Sequence, residues 1–594
     1  APRRRVGELR CRSVGAMSSS TPYTALDIPQ RAKRVGSFTA VAGGVVALVL
    51  LLLGYREESP MRLAAADVQW DTSTSATINA DEILSLPNAT TAPCWRQFSG
   101  YLTASATKQL FYWYHESVED PAGKPLVLWL TGGPGCSSLS GMFGELGPLV
   151  IGEDMHVRHN PYSWTRLANF LFIEQPAGVG FSYPQQQKIG DVVTADDTYR
   201  ALVDFFARRQ ELHGRPFYVM GESYAGHYVP HTVAAIERGN ARLPAGSPEL
   251  IALAGFTIGN AYTDYRLDFG AQLPFARSHA LASQEAYDAA DKACGGDFAK
   301  CMTPCGGPTG SANATISPCP LKCNKECGQA FWTAMAWMLP DPRGRPGVDV
   351  YDIYANVCPL PVKMYMDSLD STADFGEMLR MPEDSLLALV REQARLHAAQ
   401  AGSAPLRGRR AATVTSPVVP ECWIPAMLAY LNHAEVQRAI HVRPDKRPSH
   451  WTPCNMWLPW YDFNYESVVP LYRKWAAEGK YEILVYSGDT DTTVNFLGTN
   501  AWLATLGLKK TVDWEPWRGS DGQIAGYRSE YATAGKPIAF LSIKGAGHMV
   551  PKDRPLHALD MIERYLAGAG YDTVAQPRGT GPGGPMEPPP LCGE

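Results

Sequence analysis

The stretch 217–226, FYVMGESYAG, decides the fold. An apolar run leads into Ser223, which has the small residues Gly221 and Ala225 two positions away on either side. This pattern is typical of a nucleophile elbow, a tight strand-to-helix turn that holds a serine in a strained conformation and leaves room only for small neighbours. Ala225 stands where the usual motif has a second glycine. The stretch predicts that Ser223 is a nucleophile between a buried strand and a helix.

Short apolar runs like the one before Ser223 occur along much of the chain. They suit strands that are buried on both faces of a parallel sheet, and they lie at 108–115, 125–130, 169–174, 251–258, 481–486 and 537–543. Helical stretches such as 195–213 and 557–567 separate several of them. Strands that alternate with helices predict an α/β fold with a doubly wound, mostly parallel sheet and helices on both faces.

A serine nucleophile needs a base, and the base needs an orienting carboxylate. In this type of fold the acid and then the histidine follow the serine along the chain. One predicted strand leads into a loop with Asp489 and Asp491, and a later one leads into His548. Both loops belong at the carboxyl edge of the sheet, where such sites form. Two other histidines follow the serine on its own helix and are assigned to packing or surface roles: His227 and His231.

A glycine-rich segment, 129–136 (WLTGGPGC), follows another predicted strand. Glycines directly after a strand allow a backbone N–H to face the negative charge that develops on an attacked carbonyl oxygen. An ordinary glycine-rich turn is the alternative. It carries less weight because the serine, the acid candidates and the histidine follow in the expected order. The segment therefore predicts the oxyanion-binding part of the site.

The composition is that of a folded, globular protein. The 594 residues are 45% apolar and 19% charged, which allows a large packed core. The formal net charge is only −5 and no long basic block follows the N-terminus. We therefore expect no nucleic-acid partner.

The sequence divides into seven predicted segments. The rhythm of strands and helices breaks off in the middle of the chain, where we predict an insertion that forms a lid over the sheet. In order, the segments are a basic disordered arm (1–34), a signal anchor or signal peptide (35–55), a linker (56–86), the first part of the core (87–262), the lid (263–460), the second part of the core (461–569) and a Pro/Gly-rich tail (570–594).

The N-terminal region predicts entry into the secretory pathway. Residues 35–55 carry no charge and follow a basic flank, so they suit either a signal peptide or a membrane span of about 20 residues. The flank predicts that the rest of the chain is translocated. Sequons at Asn88 and Asn313 agree with lumenal exposure. We expect a protein of the secretory pathway, which touches a membrane only through 35–55 if that segment is kept.

Thirteen cysteines are many for a cytosolic enzyme, and six of them lie close together. A zinc cluster is one interpretation, because Cys-x3-Cys spacing occurs twice. Structural zinc sites more often combine Cys-x2-Cys pairs with histidines, and no histidine lies among these six. An oxidising compartment favours disulfides instead. The six are Cys294, Cys301, Cys305, Cys319, Cys323 and Cys327.

Five motifs together resemble those of the serine carboxypeptidases, the family of carboxypeptidase Y and cathepsin A. The resemblance spans 97–566 and rests on 129–138 (WLTGGPGCSS), 160–164 (NPYSW), 174–183 (EQPAGVGFSY), 221–226 (GESYAG) and 545–551 (GAGHMVP). It implies an α/β-hydrolase fold with an inserted lid. It also implies hydrolysis of C-terminal residues from peptides and proteins through an acyl-enzyme, with no metal and no organic cofactor.

The resemblance assigns the catalytic roles residue by residue. Ser223 matches the nucleophile and His548 the base. Asp491 matches the orienting acid, because the family motif places it at the second aspartate of Gly-Asp-x-Asp. The backbone N–H groups of Gly133 and Tyr224 match the oxyanion hole.

Four further side chains match those with which the family recognises the terminal carboxylate of its substrate: Trp129, Thr131, Glu145 and Glu222. Two adjacent carboxyls cannot both stay ionised, so one of the glutamates must hold a proton and donate it in a hydrogen bond. We therefore predict peptidase activity that is favoured at acidic pH and falls as the pH rises. From the residues alone, Glu145 is equally well interpreted as a solvated surface charge.

The resemblance also implies a disulfide and a processing site. Cys136 and Cys454 match cysteines that pair in the family. Its mature enzymes are often cut within the lid, and 407–410 (RGRR) is the expected place here. A homodimer is compatible with the sequence, which does not fix the oligomeric state.

Thr131 departs from the family's peptidases, which usually have asparagine at this position. A threonine donates one hydrogen bond with a shorter reach, and acyltransferases on the same fold often carry a substitution here. Glu222, which such acyltransferases tend to replace with aspartate, points back to a peptidase. The alternatives are therefore an acyltransferase and a non-catalytic scaffold or protective protein, and the complete triad argues against the second.

Overall fold

The computed structural model describes residues 80–90, 92–152, 154–184, 189–299, 325–338, 347–357, 418–446, 448, 450–455, 461–462 and 466–572. All of them belong to one compact unit of the chain. The predicted arm, the segment 35–55, the middle of the lid and most of the linker and tail lie outside these residues. Among the residues described, no helix has both the length and the apolar sequence that a membrane crossing requires.

Strands and helices alternate along the described parts of the chain. The strands are β1 (Gln97–Thr103), β2 (Gln109–His115), β3 (Leu126–Thr131), β4 (Leu149–Ile151), β5 (Val157–His159), β6 (Asn169–Ile173), β7 (Ile189–Gly190), β8 (Phe217–Glu222), β9 (Leu253–Gly259), β10 (Tyr461–Asp462), β11 (Glu482–Gly488), β12 (Lys510–Arg518), β13 (Ile524–Tyr531) and β14 (Ile538–Ile543). The helices are α1 (Ser138–Gly141), α2 (Asp191–Arg208), α3 (Ala225–Asn240), α4 (Tyr265–Gly270), α5 (Gln272–Ser278), α6 (Gln284–Cys294), α7 (Lys325–Ala334), α8 (Trp423–Asn432), α9 (Ala434–Ala439), α10 (Val469–Glu478), α11 (Phe496–Ala504), α12 (Val550–Asp553) and α13 (Pro555–Leu566).

One central sheet organises the molecule. Its ten strands follow the order β1-β2-β6-β3-β8-β9-β11-β14-β13-β12. The six central strands, β6-β3-β8-β9-β11-β14 in spatial order, run parallel to one another. Antiparallel pairs occupy both edges of the sheet. The predicted α/β fold with a mostly parallel sheet is confirmed.

The central strands are buried on both faces, which explains why continuous apolar runs predict them. Every residue of β6 and β8 is buried. Successive side chains of β3 enter opposite layers of the core, because strand side chains alternate between faces. Trp129 packs in the layer that contains Trp164, and Leu128 packs in the layer that contains Phe256. Each large side chain buried in this way contributes about 1.5–3 kcal/mol.

The carboxyl ends of four central strands carry the predicted functional loops. β3 leads into the glycine-rich loop, β8 into Ser223, β11 into Asp491 and β14 into His548. Parallel strands bring their carboxyl ends to one edge of a sheet, where ligand sites of open α/β sheets form. The topology therefore gathers segments that are far apart in the sequence.

Part of the predicted lid is described between β9 and β10. There, α4 to α7 surround a small apolar cluster that includes Phe269 and Phe331. Cys294 forms a disulfide with Cys327, as the interpretation of the cysteine cluster predicts for these two. The other four cysteines of that cluster lie outside the described residues. The lid boundaries at 263 and 460 stay a prediction.

Gly226 lets α3 pack closely against the segment that follows β9. A Cβ atom at this position would lie 2.2 Å from the backbone carbonyl oxygen of Tyr262, which has no freedom to rotate away. We expect Gly226→Ala to lower the free energy of unfolding by about 1–3 kcal/mol, as overpacking does in dense cores. Urea unfolding measures the change.

Gly270→Ala is the matched control. The nearest atom to its added Cβ is the Cβ of Ala299 at 3.8 Å, so this variant is expected to change the free energy of unfolding by no more than about 1 kcal/mol. Equal destabilisation by the two alanines would contradict the packing argument.

Candidate active site

Ser223 adopts the strained conformation that the nucleophile elbow requires. Its φ angle is 67°, in the left-handed region that non-glycine residues rarely adopt. Its N–H donates to the carbonyl of Gly259 at 3.0 Å, and its own carbonyl accepts from Tyr262 at 2.9 Å. Such a conformation costs about 1–3 kcal/mol and persists only where the surroundings enforce it. Here the strand end and the following loop enforce it.

The glycine-rich loop lies directly against the turn at Ser223. A Cβ atom on Gly132 would lie 2.3 Å from the backbone nitrogen of Tyr224 and 2.9 Å from the Cβ of Ser223. Gly133 has a φ angle of +113°, which favours glycine. A hydrogen bond connects the loop to α3: the N–H of Gly135 donates to the Tyr228 hydroxyl at 3.0 Å. The structure thus packs Gly132, the neighbour of Gly133, against Tyr224 and Ser223.

Asp491 and His548 form a short hydrogen bond. Nδ1 of His548 lies 2.7 Å from Oδ2 of Asp491, and Asp491 is fully buried. The carboxylate also accepts from the backbone N–H of Thr493 at 2.8 Å and from the side-chain amide of Asn260 at 2.9 Å. These bonds fix its orientation. With Nδ1 donating to the carboxylate, Nε2 remains to take a proton.

The structure separates the two aspartates that the sequence offers as acids. Oδ1 of Asp489 accepts the backbone N–H of Gly545 at 2.6 Å and so braces the loop that carries the histidine. Asp491, two residues later, contacts the imidazole itself. Burial disfavours the charged form of His548, but the charge of Asp491 and its hydrogen bond outweigh burial, so the pKa of His548 is raised above its ordinary value.

Tyr351, in the predicted lid, contacts His548 in a way that sequence reasoning missed. Its carbonyl accepts the backbone N–H of His548 at 2.7 Å, and the two rings lie 5.0 Å apart between centroids. The neighbouring carbonyl of Val350 accepts from Thr492, beside Asp491. The segment 347–357 therefore braces both the acid and the base. No local pattern marks it, because the contact depends on the tertiary fold.

Glu145 and Glu222 form a buried carboxyl pair next to these residues. Glu145 lies on a π-helical turn, Met142–Leu146, and Glu222 ends β8. Both are almost fully buried, so the interpretation of Glu145 as a surface charge is wrong. The two side chains share a hydrogen bond. Within the described part of the chain, Oε2 of each has no hydrogen-bond partner.

Burial keeps a proton on this pair. It raises the pKa of Glu145 to about 7. Burial, together with the charge of Glu145, also raises the pKa of Glu222 well above its ordinary value. The charge of His548 lowers the pKa of Glu145, and the charge of Asp491 raises the pKa of Glu222. The pair therefore lies close enough to both residues to interact with their charges. At mildly acidic pH one carboxyl is a donor.

Trp129 and Thr131 complete the set of predicted binding residues. The indole N–H of Trp129 donates to Oγ1 of Thr131 at 3.0 Å. Thr131 lies opposite Glu222 in the pairing of β3 with β8. A Cβ atom on Gly141 would lie 2.4 Å from the indole nitrogen, so a glycine is needed where α1 leads towards the turn that carries Glu145. All four predicted carboxylate-binding side chains therefore belong to one region.

A disulfide joins the glycine-rich loop to the far end of the predicted lid. Cys136 and Cys454, the pair that the family resemblance implies, are 2.00 Å apart at sulfur. Sequence reasoning did not single out Glu174, which is buried between the segments that flank this disulfide. It accepts the Ser137 hydroxyl at 2.5 Å and the Trp451 indole N–H at 2.7 Å. Burial raises the pKa of Glu174 to about 7.

The remaining predicted sites divide between described and undescribed residues. Asn88 is exposed, so its side-chain amide is available to solvent. Its φ angle is 56°. Asn313 and the basic stretch 407–410 lie outside the described residues. Cys94 and Cys422 are also disulfide-bonded, which agrees with an oxidising compartment.

Known proteins are similar to this chain in sequence and in fold. The family model "Serine carboxypeptidase" matches residues 87–568. The lysosomal protective protein of Mus musculus is 32% identical over 522 residues, which cover 85% of this chain and 97% of that protein. Serine carboxypeptidase-like 20 of Arabidopsis thaliana is 31% identical over 504 residues, which cover 80% and 90%.

A solved structure shows the same fold. It is that of a prohormone-processing carboxypeptidase from Saccharomyces cerevisiae, which is 19% identical, has a TM-score of 0.56, and matches 80% of this chain and 92% of its own. The family match spans almost all of the described chain and includes every catalytic candidate. The chain belongs to the serine carboxypeptidase family.

Proposed function

We propose that Ser223, His548 and Asp491 are the catalytic triad with which this serine carboxypeptidase removes C-terminal residues from peptides. The observation that carries the proposal is the 2.7 Å contact between His548 and the buried Asp491, at the sheet edge that also holds the strained Ser223. Oγ of Ser223 attacks the last peptide carbonyl and gives its proton to Nε2 of His548. Asp491 stabilises the imidazolium that forms.

The rest of the reaction follows from the same groups. The imidazolium returns its proton to the departing amino acid, and an acyl group stays on Ser223. Water, deprotonated by His548, then hydrolyses this ester. Backbone N–H groups of Gly133 and Tyr224 stabilise the oxyanion in both halves. The close approach of Gly132 to the nitrogen of Tyr224 supports this role.

We assign exopeptidase specificity to the carboxyl pair. A substrate that ends in a carboxylate needs donors, and a protonated carboxyl beside a second glutamate supplies one without adding charge. The Oε2 atoms of Glu145 and Glu222 that have no partner among the described residues support such a contact. Trp129 and Thr131 lie at the same strand end. The indole N–H of Trp129 is donated to Oγ1 of Thr131, which leaves the hydroxyl hydrogen of Thr131 for the carboxylate. An internal peptide bond has no terminal carboxylate to satisfy these groups.

The cellular setting is a further part of the proposal. The mouse relative is named as lysosomal, and disulfides and an exposed sequon at Asn88 suit a protein of the secretory pathway. A lysosomal or vacuolar lumen is acidic, which agrees with a carboxyl pair that must hold a proton. Cleavage near 407–410, membrane anchoring through 35–55 and a homodimer stay predictions.

Acyl transfer is the second candidate function, and Thr131 is the observation that favours it. Its hydroxyl already accepts the Trp129 indole N–H, so one hydroxyl hydrogen is all that it offers to a substrate carboxylate. If Thr131 binds the terminal carboxylate of a peptide only weakly, the enzyme has less preference for peptides over other acyl donors. The buried Glu145–Glu222 pair favours the peptidase, because an acyl donor without a free carboxylate does not need it.

The triad assignment predicts that two neighbouring aspartates differ greatly. We expect Ser223→Ala to abolish stepwise loss of C-terminal residues from a blocked peptide library, followed by mass spectrometry. Asp491→Asn is expected to lower kcat by about 10⁴-fold, because the histidine then loses its tautomer and its counter-charge.

Asp489→Asn is the matched control for that experiment. Its carboxylate contacts a backbone N–H and not the imidazole, so we expect a loss of less than about 10-fold. A reversed order of the two variants would overturn the assignment. A folded wild type that a phosphonate labels at Ser223, but that trims no peptide, would shift the proposal to acyl transfer.

The carboxyl pair predicts a pH dependence that differs between substrates. As the pH rises through the raised pKa of the pair, the shared proton is lost and two carboxylates repel the substrate carboxylate. We expect KM for a free peptide to rise at alkaline pH, so kcat/KM falls. An N-blocked ester of the same sequence lacks the carboxylate, and its kcat/KM should not fall in this way. His548 must lose its proton with either substrate, so the acidic limb is common to both. Superimposable profiles would contradict the role of the pair.

Thr131→Asn tests whether residue 131 contacts the terminal carboxylate of the substrate. Asparagine adds a longer amide donor, and one additional hydrogen bond to a carboxylate contributes about 1.5–3 kcal/mol. We expect KM for free peptides to fall about 10-fold or more, with little change for the N-blocked ester. Hydrolysis and transfer to an added alcohol are measured in the same reaction. An unchanged KM would show that residue 131 does not contact the carboxylate.

A further inference from the structure

Helix α3 carries two histidines, His227 and His231, that the triad does not use. They are four residues apart, so they lie on one face of the helix. Both are buried, so a surface role is wrong for them. Asp191, the first residue of α2, lies beside them. One ligand-capable atom from each of the three side chains lies within 4.8 Å of the other two.

The chemistry of the three groups suits a transition metal. Both imidazoles are buried, and burial favours the neutral form of a histidine, which keeps a lone pair for a metal. Nδ1 of His227 is buried and has no hydrogen-bond partner among the described residues. A buried polar atom without a partner destabilises the folded state. A metal–nitrogen bond removes that destabilisation.

Asp191 is held by neighbouring hydroxyls, as metal-binding carboxylates usually are. Oδ1 accepts the Tyr224 hydroxyl at 2.9 Å and the Tyr461 hydroxyl at 2.7 Å. These bonds orient the carboxylate towards a fixed position at the start of α2. The cluster therefore combines two neutral imidazoles, an oriented carboxylate and an outer layer of hydroxyl donors, all buried.

We propose that Asp191, His227 and His231 bind one divalent transition-metal ion, for which zinc is the best chemical match. Two imidazoles four residues apart on a helix, with a carboxylate from another element, are a common zinc-ligand set. Tetrahedral zinc with bonds of about 2.0–2.1 Å needs ligand atoms about 3.4 Å apart. Binding therefore draws the three side chains together, and water is the fourth ligand.

The site is distinct from the triad and is connected to it through Tyr224. That residue follows Ser223, and its hydroxyl donates to Asp191. The metal does not touch the reacting atoms, so hydrolysis does not require it. The proposal is independent of the triad assignment, and its test is a binding measurement.

Cobalt(II) is the probe for the experiment. The full-length enzyme is treated with a chelator, dialysed and titrated with Co²⁺ while its visible absorption is followed. We expect one Co²⁺ per chain with the intense absorption of a tetrahedral site, which is displaced by one equivalent of Zn²⁺. Continuous-wave EPR with Cu²⁺ should show nitrogen couplings from imidazole in the same wild-type protein. Absence of a stoichiometric, Zn²⁺-displaceable site in the wild type overturns the proposal.

Two variants locate the site. His231→Ala is expected to abolish the tetrahedral absorption, whereas His156→Ala, which removes an exposed histidine, should leave it unchanged. Circular dichroism and a cooperative thermal unfolding transition check that each variant is folded. If His231→Ala does not fold, Asp191→Asn provides the same test, because the amide is a much poorer metal ligand. Metal binding that persists in a folded ligand variant would also overturn the proposal.

Discussion

The hydrogen bond between Asp491 and His548 is the interaction on which the site depends. It joins two loops 57 residues apart in the sequence, and it exists because β11 and β14 are parallel neighbours in the sheet. Ser223 follows β8, which is separated from β11 by β9 in the sheet. Asn260, at the end of β9, donates to Asp491 and fills the gap between them. The parallel order of four strands thus fixes the relation of nucleophile, base and acid.

In the proposed function, the buried carboxyl pair accounts for the preference of this hydrolase for a chain end. A triad and an oxyanion hole act on many acyl compounds, whereas Glu145 and Glu222 suit a substrate that brings its own negative charge. Both are buried beside the triad, and the same burial that raises their pKa values makes one of them a donor. The proposed specificity for a chain end and the predicted preference for acidic pH therefore rest on one physical cause. The segment 347–357 and the Cys136–Cys454 disulfide close the region from the lid side.

Much of this arrangement could be predicted from the sequence, and the exceptions have physical reasons. The central strands are continuous apolar runs because both of their faces are buried, and the elbow shows as a serine between small residues. The exposed edge strand β12 was not predicted from the sequence. Nearly all of its residues face solvent, so they form no apolar run. Either aspartate fitted the acid from the residues alone, and only family resemblance favoured Asp491. The contacts of Tyr351 and Glu174 join distant segments, so the local sequence around either residue does not reveal its partners.

The central claim is that Ser223 carries the acyl group during hydrolysis. Rapid-quench mass spectrometry tests it with an N-blocked ester whose bulky acyl group is released slowly. The account predicts an adduct with the mass of the acyl group on the peptide that contains Ser223, formed before steady state and absent from Ser223→Ala. An adduct on another residue, or one that persists in the alanine variant, would contradict the account.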